Sequence, residues 1–531
     1  MTLKEYLDGL PDEKRVALVG RETQDVRHAA FGSKRVVHAG IIGMPVAQDA
    51  YQKSWRRVMH EEADASRPYA VYIHVPFCQT KCLYCGFYQN ASRQEVEDAY
   101  IDDLVEEIER DAAMPQLRTA KIASAFVGGG TPSSLSAGNA ARLLAAVQRN
   151  LTLCEDCELT FEGRIHDLVP EKIEAWKAGG VNRVSLGVQS FDTTLRHRVG
   201  RMDSREEVLA HLALLKGYDM TVIVDLIYGL PGQTGELWLR DMETLLEAPI
   251  DGMDLYQLNV FPNGDLARAV RAGRVPPCAD IAGQADLYHA ARAFLLAHGV
   301  ERLSLCHWRR DRRESSLYNT LAKTGAVVYP FGCGAGGNVG GISFMHQRRI
   351  EAYHAAILRG EKPIMMMAHQ AKRELMRVSD EIIAGLEKGF VDLRRLVMMD
   401  GRLGELEELL GIWQERGLMQ EDLGIYRLTA DGEFWYISMT QSLVECAEAL
   451  LTAPAEMADE NEKAASSALD RVIAEMAPEA SADERQAMAA RIPASVRMMI
   501  RSSSYESLKK MLAGLPPAMR ERMMSRGHAN A

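Results

Sequence analysis

Between residues 71 and about 300, the sequence alternates short β-rich runs with segments of helical periodicity. This alternation predicts parallel βαβ units with right-handed crossovers, because a strand parallel to its predecessor must be reached through a crossover helix. Helices are predicted at about 96–113, from about 136, and near 168–178, 203–216 and 235–247. The predicted strands are VYIHV (71–75), SAFVGG (124–129), CELTFEG (157–163), RVSLGV (183–188), TVIVDLIYGL (221–230) and GMDLYQLNV (252–260).

Six such units are too few for the eight of a complete barrel. The sequence therefore predicts an α/β fold with an open, partial (β/α)6 barrel. In folds of this kind the active site lies at the carboxyl ends of the strands. We therefore expect functional residues directly after each predicted strand.

The rest of the 531-residue chain surrounds this barrel. Residues 301 to about 345 are glycine-rich and predicted to be irregular, whereas short helices followed by two β runs within 417–432 predict a winged-helix-like module. The predicted divisions are an N-terminal arm (1–66), the barrel (67–300), an accessory C-terminal region (301–440) and a helical C-terminal tail of unknown role (441–531).

Composition narrows the class of protein. With 47% apolar and 25% charged residues, the chain is typical of a globular protein, and no run approaches the ~20 apolar residues of a membrane span. The net charge of −11 argues against a surface that binds nucleic acid. The cysteines are few and odd in number, and the N-terminus lacks an apolar run, which predicts a reduced, cytoplasmic protein and not a secreted disulfide scaffold.

Three cysteines, Cys78, Cys82 and Cys85, lie close together directly after the first predicted strand. Close thiolates in a reduced compartment usually bind metal. A structural zinc site needs four ligands, and a second pair, Cys154 and Cys157, sits at the start of another strand. Three thiolates with an open fourth position favour a [4Fe-4S] cluster that leaves one iron available to a ligand, with zinc as the alternative.

The stretch YIHVPFC-x3-C-x-YC, from Tyr72 to Cys85, resembles the radical S-adenosylmethionine (SAM) enzymes of the coproporphyrinogen dehydrogenase branch. The resemblance implies that the three cysteines bind a [4Fe-4S] cluster whose open iron binds the amino and carboxylate groups of SAM. It also implies that one electron from the cluster cleaves the sulfonium and releases a 5'-deoxyadenosyl radical, which is chemistry of the cofactor itself. Tyr72 and Tyr84 match cofactor-binding positions of this motif.

Residues after the later strands match further cofactor positions of the same branch. GGGTP (128–132) resembles the motif for the SAM amino group, and glycines there let the backbone approach a ligand closely. The resemblance also implies a second SAM, whose carboxylate an arginine can hold in a bidentate fork. The implied ligands are Gly129, Gly130, Thr131 and Glu162 for the first molecule, Gln189, Arg201 and Asp225 for the second, and Asn259 at a further cofactor position ending the sixth strand.

Three members of this branch remain as alternatives. The oxygen-independent coproporphyrinogen III dehydrogenases typically carry a fourth cysteine where this chain has Phe87. The haem chaperones share that phenylalanine, but their later glycine motif differs from GCGAGG at 332–337. The chain most resembles the anaerobic haem-degrading methyltransferases, or anaerobilin synthases, in HAG (38–40), FCQTKCLYCGF (77–87), the GCGAGG loop and EKPIMMM (361–367).

The resemblance to that family implies a reaction and partners. A SAM-derived methylene group is transferred to a meso carbon of haem, the macrocycle opens without oxygen, and iron and a methylated linear tetrapyrrole are released. Haem is then the substrate, and flavodoxin, ferredoxin or an NADPH-dependent reductase supplies electrons. The chaperone alternative implies instead that haem stays intact and is delivered to a partner.

Few residues in the sequence mark a haem-facing side. The segment LCHWRRDRRESS (305–316) contains His307, a candidate on the substrate side, although a charge run of this kind is usually a solvated face. Cys333 in the glycine loop is a second candidate, with an inert buried thiol as the alternative. Met365–Met367 cannot share one helical face, which favours ordinary core. His74 is expected to orient backbone.

Overall fold

A computed structural model describes residues 2–32, 43–86, 90–370 and 373–452. The HAG motif, Phe87 and the tail beyond residue 452 lie outside the described residues, so the expectations for them stay predictions.

The predicted partial barrel is confirmed: in the described part of the chain, six strands pair in parallel, each with the next. The strands are β1 (Tyr69–Val75), β2 (Ile122–Gly129), β3 (Leu153–Gly163), β4 (Arg183–Gln189), β5 (Thr221–Tyr228) and β6 (Gly252–Gln257). The helices that follow them are Gln94–Ala112, Pro115–Thr119, Ala137–Asn150, Pro170–Ala178, Thr193–Arg198, Arg205–Lys216, Gly235–Glu247, Asp265–Arg271 and Ile281–Ala297.

The helices begin where the sequence supplies a cap. The Ser136 hydroxyl accepts from the Asn139 amide at the start of Ala137–Asn150, and Ser204 does the same for Glu207 at the start of Arg205–Lys216. A hydroxyl at this position satisfies one of the amides that a helix N-terminus leaves without an intrahelical partner. The strand–helix boundaries could therefore be read from the sequence to within a few residues.

Residues 301–346 differ from the prediction, because they are not irregular but extend the sheet. Gly340 and Gly341 both have positive φ, at 55° and 78°, and form the two-residue turn of a hairpin in which Val339 pairs with Ile342. Such a turn needs positive φ at both positions, which glycine adopts without strain. The added strands are β7 (Glu301–Arg302), β8 (His307–Arg309), β9 (Val327–Phe331), β10 (Gly336–Val339), β11 (Ile342–His346) and β12 (Ile364–His369).

Within the described residues, one sheet of thirteen strands contains the six barrel strands, these six added strands and a two-residue strand at Met44–Pro45. Strand β9 pairs in parallel with β1, and β8 pairs antiparallel with β6, so both open edges of the barrel are continued. Met365–Met367 lie on β12 and not on a helix; Met367 is buried and Met366 is exposed. Strands from both sides of residue 300 share this sheet, and the domain boundaries remain predictions.

The expected winged-helix-like module follows the large sheet. A three-stranded antiparallel sheet combines Phe390–Asp392, Met419–Asp422 and Ile425–Leu428. The N-terminal residues pack on this module: the indole N–H of Trp413 donates to the carbonyl of Val19 at 3.2 Å. The helices of the N-terminal region are Leu3–Asp8, Asp12–Val19, Val26–Ala29 and Tyr51–Met59. Leu317–Lys323 and Ile350–Leu358 lie between the added strands of the large sheet, and the helices of the module are Arg373–Glu387, Leu393–Met399, Glu407–Glu415 and Ala430–Thr452.

The barrel strands have an apolar outer face and a polar inner face. On the outside, the ring of Phe161 on β3 stacks on Trp176 of the next helix, with 5.0 Å between centroids. Alternate residues point inward, and the strand register places Gly187, Asp225 and Asp254 side by side on β4, β5 and β6. The inner face therefore presents polar groups where an ordinary core would be apolar. Among the described helices, none has the length and apolar character required to cross a membrane.

Candidate cofactor site

The three cysteines lie on the loop that leaves the carboxyl end of β1. Cys78 and Cys82 are buried, and Cys85 is half-buried. The Sγ atom of Cys78 lies 3.2 Å from Oγ1 of Thr131, in the GGGTP turn after β2. The amide of Leu83 donates to the carbonyl of Val199 at 3.2 Å and ties the loop to the segment after β4. The cysteine loop thus leaves β1 and contacts the segments that follow β2 and β4.

The GGGTP turn has a shape that only glycine permits. Gly129 has φ of +115°, and a Cβ there would lie 2.7 Å from Cε1 of His74. A Cβ on Gly130 would lie 2.5 Å from the carbonyl oxygen of Phe77. His74 itself is buried, and burial lowers the pKa of its imidazole to about 4. Its Nδ1 lies 3.0 Å from the Tyr72 hydroxyl, whereas its Nε2 has no hydrogen-bond partner among the described residues.

Glu162 ends β3 beside this turn. Its Oε2 accepts from the amide of Gly129 at 3.0 Å. Burial raises the pKa of its carboxyl to about 7, against the effect of that hydrogen bond. A buried carboxyl with a pKa near 7 and a single hydrogen bond can ionise when a cationic group binds beside it.

Gln189 and Arg201 meet at the end of β4. Gln189 has φ of +72°, a left-handed conformation that is uncommon outside glycine. Both side chains can lie against β4 because residue 187 is glycine: a Cβ there would lie 2.6 Å from Nε2 of Gln189 and 3.0 Å from Nη2 of Arg201. Both side chains are buried, yet Oε1 of Gln189 and Nε of Arg201 have no hydrogen-bond partner among the described residues. Buried polar atoms of this kind are nearly always satisfied, so the pair indicates a ligand.

Arg201 also faces the cysteine loop. Its Nη2 donates to the Tyr84 hydroxyl at 3.2 Å. Burial would lower the pKa of the guanidinium, but the Tyr84 hydroxyl and the thiols of Cys82 and Cys85 outweigh burial and raise it. The guanidinium is therefore a permanent cation between the cysteine loop and β4.

Asp225 occupies the inner face of β5, between Gly187 and Asp254. The Ser185 hydroxyl lies 3.4 Å from its Oδ1. Burial raises the pKa of Asp225 well above its usual value, and the neighbouring Asp254 adds to the effect. Asp225 thus presents a buried carboxyl with one long hydrogen bond at the side of the barrel interior.

Comparison of the chain with known proteins identifies its family. Residues 72–245 match the model of the radical SAM superfamily. The chain is 37% identical, over 78% of its length and 92% of the relative, to an anaerobilin synthase of Escherichia coli O157:H7. The chain belongs to the anaerobilin synthase family of radical SAM enzymes.

Two further relatives are consistent with this placement. The haem chaperone HemW of Bacillus subtilis is 28% identical over 68% of the chain and 96% of its own length. The solved structure of coproporphyrinogen III oxidase from Escherichia coli, described as a radical SAM enzyme, superposes with a TM-score of 0.64 at 20% identity, over 76% of this chain and 96% of that one. At that identity the solved structure establishes the shared fold only.

Radical SAM enzymes use a [4Fe-4S] cluster and SAM, and the residues present fit both groups. The cysteine loop provides thiols, and all nine cysteines of the chain are in the reduced form. The family match therefore supports the cluster over the zinc alternative, and in such a cluster each thiolate binds a different iron.

Three sequence predictions need correction. Asn259 does not end the sixth strand: β6 ends at Gln257, and Asn259 is exposed two residues later. His307 is buried, and its ring nitrogens lie 2.9 Å from Asp254 and 2.9 Å from Glu314, so neither is available to haem. Cys333 is fully buried, and its amide donates to the hydroxyl of Tyr100 on a helix outside the barrel. Burial raises the pKa of the Cys333 thiol to about 12, as expected of an inert thiol.

The sequence prediction missed an ionic network at the opposite end of the barrel from the cysteines. Arg183, the first residue of β4, donates from Nε and Nη2 to both carboxylate oxygens of Glu314, at 2.9 and 3.0 Å. Glu314 also binds His307, which in turn binds Asp254. Arginine at the start of an otherwise apolar buried strand was the available signal, because a buried charge requires a partner.

Proposed function

We propose that this protein opens the haem macrocycle without oxygen, by transferring a SAM-derived methylene group to a meso carbon and releasing iron and a linear tetrapyrrole. The observation that carries the proposal is the 37% identity to a protein named anaerobilin synthase, over 92% of that protein's length. The buried pair of Gln189 and Arg201, with polar atoms left unsatisfied beyond the first cofactor position, supports a second SAM.

In this proposal the chain's own residues bind and orient two cofactor molecules. Cys78, Cys82 and Cys85 would hold the cluster, which when bound would supply the electron for reductive cleavage of SAM. The Gly129 turn and Glu162 would hold the amino end of the first molecule. The guanidinium of Arg201 would bind the carboxylate of the second molecule through two hydrogen bonds, and the carboxylate of Asp225 would bind its cationic centre.

The electron donor and the compartment are part of the proposal. Each turnover needs electrons from outside the chain, and we propose flavodoxin, ferredoxin or an NADPH-dependent reductase as the source. The low cysteine content, nine in 531 residues, supports a reducing, cytoplasmic location.

The test is a reaction under anaerobic conditions. The cluster is reconstituted, haem, SAM and a strong reductant are added, and the Soret band and product masses are followed. The expected result is loss of the Soret band together with a methylated, iron-free tetrapyrrole. Consumption of SAM with an unchanged haem mass would overturn the proposal.

A second candidate, the haem chaperone, is supported by the match over 96% of the length of the Bacillus subtilis protein. It predicts intact haem bound to the protein and transferable to an apo-haemoprotein. The variant Arg201→Lys separates the two candidates. It removes the fork that would hold a second SAM, so degradation should cease, whereas haem transfer by a chaperone should persist.

A further inference from the structure

The interior of the barrel is polar and partly open. Glu162 and Asp225 line it, and neither forms an ion pair within the described residues. The guanidinium of Arg201, close to Gly187 on the same inner face, borders it as well. Tyr256 lies two residues after Asp254 and therefore on the same inward face of β6, yet 42% of its surface is exposed. An exposed tyrosine on an inward face means that the interior contains space for a ligand.

The rim beyond β6 is rich in cations. Lys81, between the first two cysteines of the loop, lies with its Nζ 2.5 Å from Oδ2 of Asp265. Arg268 also pairs with Asp265, and its Nη1 donates to the carbonyl of Asn263 at 2.6 Å. Arg271 donates from Nη1 to the carbonyl of Pro262 at 2.9 Å. Two cations thus share one carboxylate and Arg271 lies one turn further along the same helix, which leaves an excess of positive charge beside the cysteine loop.

Apolar surface connects the interior to this rim. Val260 and Phe261 are exposed to 41% and 45%, and they follow Tyr256 along the same short segment. Phe261 packs on the cysteine loop, since a Cβ on Gly86 would lie 2.8 Å from Cε2 of its ring. A ligand that extends from the barrel interior to the exterior would therefore pass the exposed rings of Tyr256 and Phe261 and reach Arg268 and Arg271.

We propose that this rim, formed by Lys81, Phe261, Arg268 and Arg271, binds the propionate edge of haem. The inference rests on the proposed function, and it adds the substrate-binding residues that the sequence did not mark. Haem is a flat apolar ring with two carboxylates on one edge. Its binding site therefore needs apolar residues against the ring and, next to them, cations that bind the carboxylates. The basic rim attracts the propionates, which turns the opposite edge of the ring towards the cofactors.

An acidic electron-donor protein is the competing occupant, because it too would seek positive charge near the cluster. The observations favour haem, since the exposed apolar residues Tyr256, Val260 and Phe261 lie on the segment that leads from the barrel interior to the rim. The experiment below assigns the rim to one occupant or the other.

The test uses the anaerobically reconstituted full-length protein and titrates haem and haem dimethyl ester by absorbance. Arg271→Glu and the milder Arg271→Gln are compared with Arg149→Glu. Arg149 is an exposed arginine at the C-terminal end of Ala137–Asn150, and a helix following a barrel strand runs back to the end opposite the cysteine loop. Cluster content and circular dichroism establish that each variant is folded.

We expect Arg271→Glu to weaken haem binding about tenfold or more, which corresponds to ~1.4 kcal/mol, and Arg271→Gln to weaken it less. Binding of the neutral dimethyl ester should change little, and Arg149→Glu should behave as wild type. Unchanged haem affinity in both Arg271 variants would overturn the rim inference alone, as would slower cluster reduction by an acidic flavodoxin with haem affinity retained. If the wild-type protein binds no haem at all, the proposed function fails with it.

Discussion

Nδ1 of His307 lies 2.9 Å from Oδ1 of Asp254, directly across the antiparallel pair of β8 and β6. Glu314 binds the other ring nitrogen of His307 and also receives the guanidinium of Arg183. Arg183 also lies 4.0 Å from Glu158, so two cations and three carboxylates form this buried network at the base of the barrel. Asp225, the next carboxyl across the sheet from Asp254, forms no ion pair within the described residues. The base is therefore structural, and Asp225 remains available to a ligand.

This network predicts a stability that depends on pH. Burial would lower the pKa of His307, but Asp254 and Glu314 outweigh it and raise the pKa to about 9. A histidine with a raised folded pKa stabilises the protein fully below its unfolded value of about 6.5 and loses that contribution as pH rises through about 9. We expect His307→Gln to lower the free energy of unfolding by about 3 kcal/mol at pH 6.5, because it leaves Asp254 buried without a cation.

Urea unfolding at pH 6.5 and at pH 9.5 measures this effect, and His298→Gln, on an exposed histidine, is the control. The difference between wild type and His307→Gln should shrink at the higher pH. An equal difference at both pH values would show that His307 is not a cation in the folded protein.

The cysteine loop yields a prediction about iron. Cys82→Ala removes one of the three cysteines that would bind the cluster. We therefore expect the anaerobically reconstituted variant to lose most of its iron and labile sulfide and to show no detectable SAM cleavage. Cys154→Ala, a half-buried cysteine near the start of β3, is the matched control and should retain both. If Cys154→Ala lost metal to the same extent as Cys82→Ala, the two cysteine groups would share one site and the cluster assignment would be wrong.

A pair of glycines tests the shape of the turn after β2. Gly129→Ala forces a side chain into positive φ and against the His74 ring, so we expect a loss of about 1–3 kcal/mol in unfolding free energy and of SAM binding. Gly138→Ala lies in a helix, and the nearest atom to its Cβ is 4.0 Å away. That control should be neutral or stabilise by about 0.5–1 kcal/mol. Wild-type stability and SAM affinity in Gly129→Ala would exclude the tight turn.

The barrel and the cluster loop could be predicted because their signals are local. Each strand is a short apolar run bounded by turn residues, so periodicity was sufficient for the barrel, and the close spacing of Cys78, Cys82 and Cys85 favoured a cluster with zinc as the alternative. Gly129 was assigned from the resemblance to the family, since a glycine run after a strand is by itself weak evidence.

The base of the barrel could not be predicted, because its partners are far apart in the chain. His307 binds Asp254, 53 residues earlier, and no local pattern separates that arrangement from a solvated charged face. The sequence left both a substrate-side thiol and an inert buried thiol open for Cys333, because the side of a loop that faces the interior depends on packing against Tyr100, which the sequence does not reveal. The hairpin around Gly340 was hidden because glycine-rich sequence was taken as irregular, when two adjacent glycines can also mark a tight turn.

Glu162 predicts how SAM binding varies with pH. Burial raises its pKa to about 7, and a cationic amino group would bind only the ionised carboxylate. Below pH 7 the carboxyl must first lose a proton, so SAM affinity should rise between pH 5.5 and pH 7 and then level off. Glu162→Gln should bind SAM more weakly and with no such rise, whereas Glu236→Gln, on an exposed helix position, should follow wild type. Equilibrium dialysis of the reconstituted protein measures both profiles, and a wild-type affinity independent of pH over this range would remove Glu162 from the SAM site.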